Sequence, residues 1–171
     1  MSEPDTNMLL IERDARGVAT LTLNRPQAFN ALSEGLLAAL HSALDALEQD
    51  ASLRAVVIAA RGKAFCAGHD LKEMRAQPSE AYYQELFQQC SRMMMRLQAL
   101  PAPVIAKVQG MATAAGCQLV AQCDLAVSVD DAQFAVSGVR LGLFCSTPSV
   151  ALSRNLSRKQ AFEMQIGRAH V

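Results

Sequence analysis

The sequence predicts an α/β domain in which the strands of a mostly parallel sheet alternate with helices. Apolar, β-rich runs at 53–60, 104–108 and 124–129 are separated by segments with helical spacing of apolar residues. Turns of small residues join strand to helix at 66–70 and at 110–116. The 171 residues suffice for one buried core, and no internal repeat or linker divides them.

The first part of the chain is predicted to form a hairpin and then a helix. Residues 8–14 and 18–24 are β-type runs, and the second alternates with a period of two before Pro26 ends it. Ser33 is the expected N-cap of a helix that runs to about Gln49. One face of that helix should be apolar, because leucines recur at helical spacing: Leu36, Leu40, Leu44 and Leu47.

Strands and helices then alternate. The run 53–60 suits a parallel strand that is covered on both faces. A short helix is expected near Asp70, and a longer one after Ser79 with an apolar face made of Tyr83, Phe87, Cys90, Met94 and Leu97. Strands are predicted at 104–108, 124–129 and 133–136, and helices at 117–122, from Thr147-Pro148 onward, and at 158–164.

Composition restricts the classes of function. The net charge is zero and no basic face is evident, so nucleic acid is not an expected partner. The five cysteines are odd in number and lack C-x-x-C spacing, which indicates reduced thiols and no zinc site. No apolar run reaches membrane-spanning length, and the acidic start is unlike a signal or transit peptide. We therefore expect a cytoplasmic protein with no metal ion.

Two loops of small residues have the same plan. At Gly68-His69-Asp70 and again between Gly110 and Gly116, a strand ends, small residues turn, and a helix begins with free backbone N–H groups. Each loop, taken alone, is explained by tight packing of a helix on a sheet. Together, two such turns from adjacent crossovers could aim one N–H each at a shared point, which is the geometry of an oxyanion hole.

These residues resemble the crotonase family, also called the enoyl-CoA hydratase/isomerase superfamily. The resemblance rests on 63–74 (Lys-Ala-Phe-Cys-Ala-Gly-His-Asp-Leu-Lys-Glu-Met) together with 110–119 (Gly-Met-Ala-Thr-Ala-Ala-Gly-Cys-Gln-Leu). Residues 24–32 and 134–142 match the family as well, and the likeness extends from Leu9 to Met164 without interruption. Within the family, 117–124 and 142–148 resemble one particular subgroup.

The resemblance implies a spiral of ββα units and an acyl-CoA thioester as ligand. Coenzyme A would be part of the substrate and not a permanently bound cofactor. The thioester oxygen would accept hydrogen bonds from the backbone N–H groups of His69 and Ala115. The implied substrate-binding residues are Arg25, Gln27, Ala28 and Ala64 at the adenine end, with Gly68, Asp70, Leu71, Lys72 and Gly116 along the acyl-pantetheine channel.

Several side chains near these loops have a second interpretation. Asp70 is expected to stabilise a helix start. The side chain of His69 is either solvated, which is the expected case, or in contact with the ligand. Lys63 and Lys72 either meet coenzyme A phosphates or are solvated. The turn Cys145-Ser146-Thr147 is expected to cap the following helix, and Cys117 to pack in the core.

The sequence departs from the hydratase pattern at both acid/base positions. Hydration in this family uses two glutamates, and this chain has Gln118 at the first position and Gly138 at the second. Neither side chain can titrate, so ordinary hydration is not expected. The resemblance then favours other enolate chemistry in fatty acid metabolism, by a lyase, isomerase or hydrolase. The alternatives are a non-catalytic acyl-CoA binder or assembly subunit, or an inactive fragment.

The end of the chain raises a separate hypothesis. Residues 166–171 match one reading frame of a widely used sequencing adapter, and such tails are excluded from fold reasoning. We therefore expect residues 1–165 to be a crotonase-like domain that is incomplete at its C-terminus. Full-length members of the family carry a further helical region that covers the site and builds a homotrimer or a dimer of trimers.

Overall fold

The structure is a computed structural model, and it describes residues 7–167. The hypothesis on 166–171 therefore falls mostly outside the described residues. The helices and strands, in chain order, are β1 Leu9–Arg13, β2 Val18–Leu23, α1 Glu34–Glu48, β3 Ala55–Ala60, β4 Ala64–Cys66, α2 Leu71–Ala76, α3 Glu80–Ala99, β5 Val104–Val108, β6 Met111–Thr113, α4 Ala115–Gln122, β7 Leu125–Ser128, β8 Phe134–Ala135, α5 Ser146–Asn155 and α6 Arg158–Gln165.

Two sheets organise the chain. The larger has the strand order β1-β2-β3-β5-β7, with β1 antiparallel to β2 and every other pair parallel. The smaller is parallel, with the order β4-β6-β8. Each strand of the smaller sheet follows one of the larger sheet, and a helix comes next, so the chain repeats a ββα unit three times. The predicted spiral of ββα units is confirmed.

Local sequence signals explain the helix starts. Ser33 accepts a hydrogen bond from the N–H of Leu36, and Asp70 accepts from the N–H groups of Lys72 and Glu73. Ser79 and Ser157 cap α3 and α6 in the same way. Such oxygens satisfy N–H groups that have no partner inside the helix. The predicted capping roles of Ser33 and Asp70 are therefore confirmed.

The core lies between the larger sheet and the apolar faces of α1 and α3. The predicted leucine face of α1 is buried, but the expected face of α3 is partly wrong. Leu86 and Met93 are buried there together with Cys90, Met94 and Leu97, whereas Phe87 is 41% exposed. The prediction of a doubly covered strand at 53–60 is also wrong, because only one face of β3 is fully buried.

Apolar side chains are exposed at β7, at α6 and in the turn before α5. β7 is the edge strand of the larger sheet, and its residues are exposed. The large apolar side chains exposed in these segments are Leu125, Val127, Leu141, Leu143, Phe144 and Phe162. A groove of about 420 Å³ runs between α4, β7, α5 and α6. Across residues 7–167, no helix is both long enough and apolar enough to cross a bilayer.

Candidate functional site

The parallel pairing of β4 with β6 brings the two predicted loops together. Ala64 pairs with Met111 and Cys66 with Ala112, so both strands end at the same edge of the smaller sheet. Just beyond that edge, the hydroxyl of Thr113 donates a hydrogen bond to the carbonyl oxygen of Ala67 at 3.0 Å. The turn that starts α2 therefore lies beside the turn that starts α4.

Small residues make this close approach possible. A Cβ on Gly116 would overlap the carbonyl oxygen of Cys66, and one on Gly110 would overlap the carbonyl of Lys63. Gly68 has a φ of +93°, and a Cβ there would lie only 3.3 Å from the backbone nitrogen of Ala115. Tight packing, the simpler interpretation of the small residues, is thus correct, and it is what brings the two backbones together.

The backbone N–H groups of His69 and Ala115 are not engaged by the rest of the described chain. Leu32 and His69 form a parallel bridge that uses the carbonyl of Gly68 and the N–H of Asp70. The N–H of His69 itself therefore points to the opposite side. Ala115 is the first residue of α4, where an N–H has no intrahelical partner. Neither N–H donates a hydrogen bond within residues 7–167.

Ala114, which precedes α4, has an unusual backbone. Its φ of +50° and ψ of −122° lie in a region that residues with a side chain rarely adopt. Its N–H donates to the carbonyl of Ala135 and its carbonyl accepts from the N–H of Gln118, so the conformation is held from both sides. This conformation orients the first peptide of α4, and it shifts the helix start two residues ahead of the predicted Cys117.

Asp70 and Arg25 form a partly buried ion pair between the first loop and α2. One guanidinium nitrogen lies 2.9 Å from the Asp70 carboxylate, and the other donates to the carbonyl of Ala31 at 2.6 Å. Burial alone would raise the pKa of Asp70, but the hydrogen bonds from Arg25, Glu73 and Lys72 outweigh it and hold the pKa below its ordinary value. Both predicted ligand-binding side chains thus have partners inside the protein.

The remaining predicted adenine-end residues lie near one another. Gln27 and Ala28 belong to a short 3-10 turn, Pro26–Ala28, and Ala64 is buried at the start of β4. Asn30 joins these segments, and its role was not predicted. Fully buried, it accepts from the N–H of Arg25 and donates to the carbonyls of Arg61 and Ala64. Its only sequence signal was an asparagine in a turn region, a residue type that tolerates the positive φ of +53° found here.

The side chain of His69 is not solvated as expected. Its ring packs edge-on against Phe87 of α3, with the centroids 5.1 Å apart at an interplanar angle of 81°. Burial lowers the pKa of His69 to about 4, so the imidazole is neutral at neutral pH. Its Nδ1 atom is buried without a hydrogen-bond partner among the described residues. The expectation failed because Phe87, assigned to the α3 core face, instead packs against this ring.

The two positions that the resemblance aligns with the hydratase glutamates, Gln118 and Gly138, differ in their surroundings. Gln118 lies in the first turn of α4, is 5% exposed, and has a buried Oε1 with no partner in residues 7–167. Gly138 is buried in a 3-10 turn, Ser137–Leu141. A Cβ on Gly138 would overlap the Cys145 sulfur and lie 2.9 Å from the Leu143 carbonyl oxygen. A neutral amide therefore occupies the first position, Gln118, and the second position, Gly138, has no space for a side chain.

The other named side chains have mostly structural surroundings. Cys117 is buried as expected, and burial raises the pKa of its thiol to about 12, so it is no nucleophile. Cys145 precedes α5 but makes no side-chain capping bond, so the capping role expected for this turn is not found at that residue. Leu71 and Lys72 are exposed in the first turn of α2, and Lys63 is exposed in the turn before β4.

Sequence comparisons relate the chain to known proteins. Residues 13–170 match the family model described as enoyl-CoA hydratase/isomerase. A relative named mitochondrial enoyl-CoA hydratase domain-containing protein 3, from Xenopus laevis, is 47% identical over 156 residues, or 91% of this chain and 53% of its own. The human protein of that name is 48% identical over 154 residues, or 89% of this chain and 50% of its own. This name is that of the subgroup which 117–124 and 142–148 resemble, so that resemblance is confirmed.

Solved structures show the same relationship. An enoyl-CoA hydratase of Mycobacterium smegmatis superimposes with a TM-score of 0.94 at 67% identity, covering 98% of this chain and 65% of the other. Human enoyl-CoA hydratase domain-containing protein 3 superimposes with a TM-score of 0.90 at 44% identity, covering 95% and 64%. The chain spans about half the length of the curated relatives that it matches. It belongs to the enoyl-CoA hydratase/isomerase family.

Proposed function

We propose that the protein binds an acyl-CoA through its thioester and stabilises the enolate with the N–H groups of His69 and Ala115. One observation carries this proposal: two unengaged N–H groups lie on adjacent turns at one edge of the smaller sheet. Preorganised donors of this kind are worth on the order of 10²–10³ in rate each, because they need no reorganisation as negative charge develops.

Ordinary hydration is not the proposed reaction. Adding water to an enoyl-CoA needs one group to take a proton and another to give one, and Gln118 and Gly138 can do neither. A well-placed general acid or base is worth on the order of 10²–10⁴ in rate, so the lack of both would slow hydration by about 10⁴-fold or more. We infer enolate chemistry that does not need this pair, such as isomerisation, decarboxylation or thioester cleavage, by a lyase, isomerase or hydrolase.

The remaining binding roles are also part of the proposal. The adenine end would contact Gln27, Ala28 and Ala64. The acyl-pantetheine channel would be lined by Gly68, Leu71, Lys72 and Gly116. Arg25 and Asp70 would hold the loops in place through their ion pair. We propose the acyl-CoA as the partner in the cytoplasm, although the curated relatives are named mitochondrial. A homotrimer or dimer of trimers remains the proposed assembly.

A turnover screen of the whole protein tests this function. Enoyl-CoA, malonyl-CoA and simple acyl-CoA substrates should each be incubated with enzyme and the products identified. We expect slow or absent hydration and measurable turnover of another class. Hydration at ordinary rates would contradict the claim that this protein does not hydrate enoyl-CoA. The absence of any turnover would favour a non-catalytic acyl-CoA binder.

The second candidate is a non-catalytic acyl-CoA binder, which the closed space at Gly138 favours. It predicts tight acyl-CoA binding by calorimetry without turnover. Restoring Gln118→Glu and Gly138→Glu tests whether hydration is absent only for want of carboxylates, and Cys145→Ala should be added because the Cys145 sulfur occupies the space required. Hydration by the triple variant, but not by Cys145→Ala alone, would show that the rest of the protein supports hydration once the carboxylates are present.

A further inference from the structure

Each proposed donor N–H belongs to a peptide group whose carbonyl oxygen is already engaged. The carbonyl of Gly68, in the same peptide group as the N–H of His69, accepts from the N–H of Leu32 at 2.8 Å. The carbonyl in the same peptide group as the N–H of Ala115 accepts at 3.0 Å from a backbone N–H in the first turn of α4. In a trans peptide the N–H points away from the carbonyl oxygen. The direction of each donor is therefore set within its own segment, whereas the spacing between the two donors is set elsewhere.

The two turns that carry these donors are in direct contact. A Cβ on Gly68 would lie 3.0 Å from the Cβ of Ala114 and 3.2 Å from the carbonyl oxygen of Thr113. This contact sets the closest approach of the turns. It does little to keep them from moving apart, because each pair of atoms in contact gains only about 0.1–0.2 kcal/mol.

The hydroxyl of Thr113 opposes this separation. It donates a hydrogen bond to the carbonyl oxygen of Ala67 at 3.0 Å, in the peptide group just before Gly68. The N–H of Ala67 donates to the carbonyl of Phe29 at 3.0 Å, so Ala67 is held from both sides. Gly68 has a φ of +93° and no side chain to restrict its backbone, so the peptide groups around it depend on such bonds for their position.

We propose that Thr113 is a positioning residue, which holds the two turns at the spacing where one thioester oxygen accepts from both His69 and Ala115. This inference rests on the proposed function and deepens it, because it names a side chain that sets the donor geometry. The hydroxyl is engaged with Ala67 and acts on the ligand only through the backbone. A donor is effective at about 2.7–3.1 Å from the developing oxyanion, so a shift of about 1 Å in one turn would disable one of the two.

Infrared spectroscopy on the whole protein separates positioning from a purely structural role. The probe is butyryl-CoA with a ¹³C-labelled thioester carbonyl. Thr113→Val removes the hydroxyl and keeps the branched shape of the side chain. We expect it to reduce the displacement of the carbonyl band from its position in water by about half, because one of two donors loses its alignment. Calorimetry with free coenzyme A, which has no thioester oxygen, should give the affinity of the parent protein.

Three further variants make the test specific. Thr113→Ser keeps a hydroxyl and should restore the band position of the parent protein. Thr113→Ala carries the same expectation as Thr113→Val, so the test does not depend on how valine is accommodated. Thr20→Val is the matched control, because it makes the same exchange at a half-buried threonine of β2 in the larger sheet. It should leave the band as in the parent protein.

The possible outcomes distinguish the inference from the proposed function. If Thr113→Val and Thr113→Ala both show the band of the parent protein, the inference is overturned and the donor pair stands, whatever their stability in urea. A displacement reduced as much in Thr113→Ser as in Thr113→Val would also overturn it, because the hydroxyl would not be the cause. If the parent protein itself shows no displacement on binding, the proposed function fails instead.

Discussion

His69 would contribute to the proposed site in two separate ways, through its backbone and through its ring. Its N–H is directed away from the bridge with Leu32, and its imidazole is held neutral against Phe87. Gln118 is neutral by its chemistry. Neither side chain can therefore exchange a proton with a ligand at neutral pH.

The burial of His69 predicts a pH dependence of stability. The folded-state pKa is about 4 and the ordinary value is 6.5, so the unfolded chain binds a proton that the folded chain excludes between these values. Stability is therefore lost as the pH falls through this window, with a slope of up to about 1.4 kcal/mol per pH unit from this group.

Urea unfolding across this window measures that slope. His69→Phe should flatten it, because phenylalanine takes up no proton. Met95→Phe, which adds an aromatic ring at an exposed site, should leave it as in the parent protein. An unchanged slope in His69→Phe would mean that the ring is solvated.

Ala114 provides a second prediction at this scale. Its positive φ strains any residue with a Cβ, and glycine relieves the strain at the cost of greater freedom in the unfolded chain. We expect Ala114→Gly to raise the free energy of unfolding by roughly 0.5–2 kcal/mol. Ala112→Gly, in the buried strand β6, should lower it. A less stable Ala114→Gly protein would contradict the strained conformation.

Among the elements, the loop between β2 and α1 depends on Asn30. Its three hydrogen bonds tie Arg25 to the turn that contains Arg61 and Ala64. We expect Asn30→Ala to lower the free energy of unfolding by roughly 2–4 kcal/mol, because two carbonyls and one N–H lose a buried partner. Coenzyme A affinity, measured by calorimetry, should fall as well if this loop contacts the adenine end.

Asn155→Ala is the matched control for that loss of affinity. Asn155 also donates two hydrogen bonds to backbone carbonyls, those of Ala121 and Ala151, but it lies in α5. It should cost stability and leave coenzyme A affinity unchanged. If both variants reduce coenzyme A affinity equally, the effect comes from lower stability of the whole fold, and the loop between β2 and α1 does not contact the adenine end.

The main elements could be predicted because their signals are local. The leucine spacing of α1, the serine cap at Ser33 and the alternation of β2 each act within one segment. The strands β4 and β6 were missed because they have three residues each and pair only across the spiral. The environment of His69 was missed because it depends on Phe87, which is eighteen positions away and on another helix.

In the molecule as a whole, the ββα spiral positions the two loops of the candidate site and leaves the side of β7, α5 and α6 exposed. Its parallel pairings bring the two loops to one edge, while β7, α5 and α6 present apolar side chains to the surface. The chain spans about half the length of its curated relatives, so the activity proposed here belongs to the whole protein.

The infrared spectrum of a bound acyl-CoA with a ¹³C-labelled thioester carbonyl tests the central claim most directly. Two N–H donors at that oxygen would polarise the C=O bond and weaken it. We predict that the carbonyl band moves to lower wavenumber when the ligand binds the whole protein. A bound ligand whose carbonyl band stays at its position in water would contradict the roles assigned to His69 and Ala115.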